Sequence, residues 1–496
     1  MTNRFDTGPA ATRFLLRNTP FVYVQHFVTF GSSIIVTLLL PRFLGPALFG
    51  AVFLAEAIRQ IFGTGVEFGG QHIIPDEIGR TRGGVSRIVA QAVASRVLIA
   101  LACVGGIAFL TYSHEYSTTQ RTIILIYATQ LLWHAPLLVL QAAYRGIERT
   151  AYVSVALMVE RVFQATAVVA IAISDASAVL LAALLVTGSA IQLAMLWRFF
   201  PGIFSGIPRI NWRDVFRLRD ALPYFLLAAF AALNARIDTV ILSLLTSDEV
   251  VGWYGGACRL LDAVNIPYIL PMVVLPVLVH TGKTEHGDLP IQRRLELMMV
   301  YGIPVAVTAI ACAEPLIGLI YGLDGYSGSV LPFRILSGGL PVLFIDTVLG
   351  AYLVRSGRRR NIIVIAFSAV ILAAGLNVIL IPPFDELMGN GGVGAAIATT
   401  LTEVLIMISL VSTTPKEDLA GFRWRQFARV AGASLAMGCV LFLFQLLVIP
   451  WYLNASLSLI SCCLLLKLLG AFDSTERALL RTLGPHAGRQ QFLAQW

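Results

Sequence analysis

From Phe21 to Gly70 the chain reads FVYVQHFVTFGSSIIVTLLLPRFLGPALFGAVFLAEAIRQIFGTGVEFGG. An apolar run ends at Pro41-Arg42, a break carrying Gly45-Pro46 follows, and a second apolar run begins at Leu48. About 20 apolar residues cross the hydrocarbon core as a helix, so the stretch predicts two membrane spans, 20–41 and 48–70. The second is apolar except for Glu56, Arg59, Gln60 and Glu67, which follow Glu56 at offsets of three, four and eleven and share one helix face with Gly63. A polar stripe on such a helix needs a partner other than lipid.

The rest of the chain repeats the pattern. Of its 496 residues 57% are hydrophobic and 13% charged, against roughly 45–50% and about 25% in soluble domains. Further spans are expected at 88–110, 121–143, 151–172, 176–197, 221–245, 250–279, 295–320, 331–354, 362–381, 393–413, 429–449 and 453–470, fourteen in all. The fold class is therefore all-α, a polytopic membrane protein with no extramembrane domain. The first span follows Arg4, Arg13 and Arg17 but lacks a small-residue cleavage site, so it reads as an uncleaved helix.

Positive charge gives the orientation, because Lys and Arg collect in cytoplasmic loops. With the N-terminus inside, 27 of the 36 cations fall in the inner loops and tails, two (Arg42 and Arg121) fall outside, and seven lie within spans. Both termini are thus expected in the cytoplasm. The net charge of +8 follows from those loops and points to anionic membrane lipids as partners, with no nucleic acid. The six cysteines all lie in expected spans without CxxC spacing and read as packing residues. No metal and no cofactor is expected. The glycine run 389–394 follows no strand and reads as an outer turn rather than a phosphate loop.

Loops are short except between Trp197 and Asp220, where Arg209, Arg213 and Arg217 recur every fourth residue beside Trp212, Val215 and Phe216. That spacing predicts a helix lying in the inner headgroup layer. It divides the chain into an N-lobe of six helices, 1–197, the interfacial linker 198–220, and a C-lobe of six more, 221–413, followed by helices thirteen and fourteen, 414–470, and a tail, 471–496. The segments Leu44–Gln60 and Leu245–Asp262 resemble each other, each leading through a turn to a glycine (Gly50, Gly252) and on to a deep arginine.

An Arg or Asp at mid-bilayer costs about 2.5–3.5 kcal/mol on insertion scales, so each needs a reason. Glu56 and Arg59, Glu160 and Arg161, Arg236 and Asp238, and Arg259 and Asp262 form close sets, with Asp238 and Arg259 at similar depth. One reading is structural ion pairing. The other is a shared aqueous cavity in which guanidinium forks hold an anionic headgroup while carboxylates position them.

At these residues the chain resembles a known family. Arg42–Gly50 (RFLGPALFG), Ile237–Leu242 (IDTVIL) and Val251–Leu260 (VGWYGGACRL) are similar to the polysaccharide and O-antigen flippases, a branch of the multidrug, oligosaccharidyl-lipid and polysaccharide exporter superfamily. The resemblance implies two six-helix bundles in pseudo-twofold arrangement around a cavity lined by helices one, two, seven and eight, with two C-terminal helices at the side. It implies that Arg59 and Arg259 contact the diphosphate of an undecaprenyl-linked oligosaccharide, near Glu56, Gln60, Arg236, Asp238 and Asp262, with Gln25 and His26 at the cytoplasmic mouth. It implies transport by alternating access in the bacterial cytoplasmic membrane, with a polysaccharide polymerase and glycosyltransferases as pathway partners and no enzymatic step. The alternatives are a cation-coupled multidrug exporter, whose coupling carboxylate on helix one has no counterpart in Phe21–Pro41, and a flippase for a peptidoglycan lipid precursor. A glycosyltransferase needs a sizeable outer loop with carboxylates, and the longest outer breaks, 111–120 and 382–392, are about ten residues.

Overall fold

The computed structural model describes residues 9–80, 84–174, 177–199, 221–265, 291–421 and 424–446. Regular structure among them is helical throughout: α1 (Pro9–Glu67), α2 (Gly70–Arg80), α3 (Val85–Ser113), α4 (Thr118–Gly146), α5 (Thr150–Ser174), α6 (Ala178–Arg198), α7 (Leu222–Leu245) and α8 (Asp248–Asn265). They continue with α9 (Ile291–Ala311), α10 (Ala313–Ile320), α11 (Leu323–Tyr326), α12 (Val330–Gly338), α13 (Leu340–Arg355), α14 (Arg359–Met388), α15 (Gly391–Thr413), α16 (Lys416–Leu419) and α17 (Trp424–Leu446). Thirteen of the fourteen expected spans fall wholly or partly on these helices. The fourteenth, the interfacial arginines 209–217, the prolines 267, 271 and 276 of the eighth span, and the tail lie outside the described residues.

Nine of the described helices are long and apolar enough to cross a membrane, and a tenth span forms if the pair Leu323–Gly338 and Leu340–Arg355, bent by 44°, counts as one. One of the nine, α1, holds two expected spans. Its backbone leaves the helical region at Gly45, whose φ of 68° is open to glycine without strain. The break falls where the sequence predicts it, ahead of Pro46, whose ring disfavours helix in the residue before it.

Local chemistry sets the other ends. At the start of α4, Ser117 Oγ accepts from Gln120 N at 3.2 Å and Gln120 Oε1 accepts from Ser117 N at 2.9 Å, a reciprocal cap. Ser177 accepts from Leu180 N at the start of α6. Within lipid every backbone group must be satisfied inside its own helix, which is why a chain this apolar builds helices and little else.

The chain divides into two compact units. The first takes residues up to Ala263 with 317–332 and 359–402; the second takes 264–316, 333–358 and 403 onward. In the first, α1 packs on α4, α5 and α7, α4 on α3 and α6, and α7 on α14. In the second, α9 packs on α13 and α17, around Cys312, Val430, Ala433, Met437 and Leu441.

Candidate functional site

The site begins with a close helix crossing in the first unit. A methyl placed on Gly50 of α1 would meet the carbonyl of Asp248 and, at 2.8 Å, the amide nitrogen of Gly252. A methyl on Gly252 of α8 would in turn meet the Pro46 carbonyl. Each glycine thus rests on the backbone four residues before the other, a reciprocal contact open only to residues without a side chain. One turn further along α8, a methyl on Gly255 would meet the Phe53 ring at 2.8 Å, so this ring fills the wedge that opens beyond the crossing.

Phe53 is 2% exposed and carries the charges around it. Arg236 of α7 and Arg259 of α8 both lie over its ring, with Cζ 5.5 and 5.8 Å from the centroid, a geometry in which the negative face of the ring attracts each cation. Arg236 Nε donates to Gln60 Oε1 at 2.6 Å. Next to Gln60 on α1, Arg59 Nη2 and Nε donate to Glu56 Oε1 and Oε2 at 2.6 and 3.2 Å, a bidentate fork. The side chains of that pair are 15% and 27% exposed, enough for an incoming ligand to reach. Glu56 lies in the field of Arg59, Arg259 and Arg236, and Asp262 in that of Arg259 and Arg236.

Three guanidiniums therefore converge with two carboxylates, leaving an excess of positive charge. Among the described residues, Glu56 with Arg59 is the one ion pair that this cluster closes. Arg259 Nε is buried and has no hydrogen-bond partner among the described residues, which leaves a donor available to a ligand. A planar guanidinium with an unused N–H edge matches the oxygens of a phosphate.

The structure brings together Glu56, Arg59, Gln60, Arg236, Arg259 and Asp262 from the expected set, keeps Asp238 in the field of Arg236 but bonded elsewhere, and leaves Gln25 and His26 on another arm of α1. Asp238 is not paired with Arg259. Its carboxylate takes hydrogen bonds from the Tyr254 hydroxyl, from Thr239 N at 2.5 Å and from Thr399 Oγ1 at 3.3 Å, so it ties α7 to α8 and α15. Gln25, half-buried, and His26, exposed, lie on the arm of α1 before Gly45, whereas Glu56 and Arg59 lie on the arm after it. Glu67 also leaves the stripe for the end of α1, where His72, Arg145 and Arg96 act on it. Glu160 and Arg161 share a bridge, Gln164 donating to Glu160 at 3.2 Å and accepting from Arg161 at 3.0 Å.

Three neighbours escape sequence reading. Phe53 has the look of ordinary lipid-facing bulk. Tyr127 and His134 of α4 sit in the field of Glu56 and Arg59, and His134 Nδ1 is buried without a partner among the described residues. The signal for His134 was its isolation in an apolar helix. A cavity of about 420 Å³ lined by Ala190, Leu193, Ala194, Trp197 and Arg198 includes none of these charges.

Sequence comparison covers the same region. A model of the polysaccharide biosynthesis protein family matches residues 15–281, more than half of the chain and every residue of the cluster. The chain belongs to that family. No curated protein matches it significantly in sequence. Among solved structures it is similar to the lipid II flippase MurJ in an inward closed conformation, with TM-score 0.66 and 16% identity over 94% of this chain and 100% of that one. It is also similar to an inward-facing multidrug resistance MATE transporter of the MOP superfamily, with TM-score 0.56 and 15% identity over 79% and 96% of the two chains. The MATE multidrug transporter DinF-BH gives TM-score 0.50 and 18% identity over 81% and 94%. At these identities the likeness is one of fold, and it makes this family member a multi-pass membrane protein built like MurJ and the MATE transporters.

Proposed function

We propose that the protein is a flippase that moves a lipid-linked oligosaccharide, a repeat unit for polysaccharide synthesis, across the bacterial cytoplasmic membrane by alternating access. The observation that carries the reading is the pair Arg236 and Arg259 over the Phe53 ring, with Arg59 joined to them through Glu56, inside spans of a polysaccharide biosynthesis family member, with one buried guanidinium donor unused among the described residues. Arginine in a span is costly, and two over one ring with a third beside Glu56 fit an anionic headgroup better than they fit a structural pair. The carrier lipid is undecaprenyl diphosphate. Arg259 and Arg236 grip the diphosphate beside the ring, while Glu56 holds the Arg59 fork and limits the positive charge of the empty site.

No bond is made or broken. With both termini cytoplasmic, outward movement of two negative charges is favoured by about 4.6 kcal/mol per 100 mV, at about 2.3 per charge, in an inside-negative cell. The polymerase and glycosyltransferases of the pathway would supply and use the cargo.

The test uses the full-length protein in liposomes with a fluorescent undecaprenyl-diphosphate oligosaccharide, scored by the fraction shielded from an external quencher. Arg259→Gln is expected to lower translocation at least tenfold, and Arg236→Gln comparably. Wild-type rates in both variants would remove the arginines from the site. Transport of rhodamine dye in place of the lipid substrate would replace the flippase with a drug exporter, and a preference for a peptidoglycan precursor would keep the chemistry but change the cargo.

A further inference from the structure

Within the first unit, the second arm of α1 and α7 run antiparallel, and their contact can be followed from the arginine cluster to the end expected in the cytoplasm. Gln60 meets Arg236 at 2.6 Å. About 12 Å further along α1, at helical rise, the Phe68 ring stacks on Phe225, with centroids 4.3 Å and planes 13° apart. Beyond it, His72 of α2 stacks on Tyr224 of α7 with centroids 4.9 Å apart. Arg359, at the start of α14, lies over the same tyrosine ring with Cζ 5.1 Å from its centroid and donates to its hydroxyl at 3.0 Å. Along α1 and α7, two ring stacks and a guanidinium thus follow the cluster on its inner side.

The backbone is strained at the same place. Phe68 has φ 42° and Gly69 has φ 66°, two successive left-handed residues that separate α1 from α2. Glycine takes this region without cost, whereas an aromatic residue held there is an outlier. Such strain persists only where the surroundings hold it, and it gathers at parts that switch. The surroundings here are α7: the Phe68 ring lies on Phe225, and a methyl on Gly69 would come within 2.9 Å of the Ala221 carbonyl. Stacking of two aromatic rings is an attraction of the size needed to offset one left-handed residue.

Each side of this seam has bonds of its own. Gln71 Nε2 of α2 donates to the Leu138 carbonyl of α4 at 3.1 Å, and Arg145 of α4 donates to the Gln71 carbonyl oxygen, so α2 is tied to α4. On the other side α7 packs on α14. Parting the rings leaves both sets of contacts in place.

We propose that Phe68 and Phe225 are a sprung inner gate to the arginine cluster, with Tyr224, held between His72 and Arg359, as its latch. When the stacks part, Phe68 returns to ordinary helical backbone, the joint between α1 and α2 straightens, and α2 moves with α4 away from α7. The gap admits a lipid headgroup from the cytoplasmic side. The assignment rests on the reading of the cluster as the headgroup site, and it gives Phe68, Phe225 and Arg359 roles that contact with the resting ligand does not require.

The experiment follows native Cys258, half-buried beside Arg259, in the full-length protein in membrane vesicles with no lipid cargo present. A polar, membrane-impermeant maleimide is added to inside-out or right-side-out vesicles, and mass spectrometry reads labelling at each cysteine. Phe225→Ala and Phe68→Ala are expected to speed labelling of Cys258 in inside-out vesicles by about two- to tenfold, the population shift that loss of one aromatic stack brings. Right-side-out vesicles should keep the wild-type rate. Phe68→Gly should fall between Phe68→Ala and the wild type, because it loses the strain together with the ring. Arg359→Gln, at an exposed position, should give a smaller gain in the same direction. Cys312, buried in the second unit, reports on folding: a variant in which it also labels has unfolded, and the remaining variants decide. Wild-type rates in the folded variants, or a gain confined to right-side-out vesicles, overturn the gate. Equal gains in Phe68→Ala and Phe68→Gly overturn the strain as its spring. No outcome depends on the cargo, so the gate and the flippase reading tested with Arg259 and Arg236 fail separately.

Discussion

The two buried charge sites solve opposite problems. In the first unit, cations exceed anions around Phe53, and every guanidinium there has a carboxylate, an amide or an aromatic face beside it. In the second, Asp346 is buried with no hydrogen-bond partner among the described residues and lies in the field of Glu403. Positive charge left over in the first site is what the proposed anionic headgroup would answer, whereas negative charge in the second offers no such partner. The contrast shows that a lone charge in a spanning helix is read from the sign of its neighbours, not from its own cost.

The largest effect expected of any change to this comparison is at the helix crossing that assembles the first site. Gly252→Leu drives a side chain into the Pro46 carbonyl, and thermal melting should show a loss of at least about 1–3 kcal/mol. Gly350→Ala, one turn from Asp346 and with nothing described within 4 Å, should instead be neutral or stabilise by up to about 1 kcal/mol. Equal losses in both variants would remove the special status of the crossing.

Glu56→Gln sharpens the comparison at intermediate size. It dissolves the fork on Arg59 and makes the first site still more positive. Breaking a fully buried pair costs about 3–5 kcal/mol, and the partial exposure of this one reduces the expected loss to about 1–2 kcal/mol. Pyrophosphate binding, measured by calorimetry, should tighten by up to about tenfold in the same variant. Stability and affinity moving in opposite directions is the signature of a ligand-facing carboxylate. A loss of both would make Glu56 a structural partner alone.

The smallest effect concerns a carboxylate with a donor. Asp248, at the start of α8 between two spans, accepts from the Gln120 amide, yet burial still pushes its carboxyl above the usual range. A raised acid contributes stability while it is protonated and loses it as pH rises through its folded value. Asp248→Asn should therefore raise the melting temperature slightly at pH 7, and the gain should vanish as pH falls below the ordinary carboxylate range. A gain that grows on acidification would reverse the sign of the argument.

Much of this architecture was legible in the chain. Apolar runs bounded by Pro, Gly and Arg place the spans, and the stripe Glu56, Arg59 and Gln60 follows from helical period alone. What period cannot supply is partnership across the fold. Gln60 meets Arg236 across 176 positions of chain, and no local pattern announces it. Asp238 turned to Tyr254 rather than Arg259 because matching depth along two helices does not fix which face each residue takes. Asp346 and Glu403 each carry a readable signal, an acid in the middle of an apolar span, but the helical period does not say which side chain meets them.

At Gly50 and Gly252 two rods touch at a bare point, with no interlocking teeth there. Such a point makes a fulcrum. Tilting one rod closes the gap above the point as it widens the gap below, so probes placed on opposite sides of it should report distance changes of opposite sign.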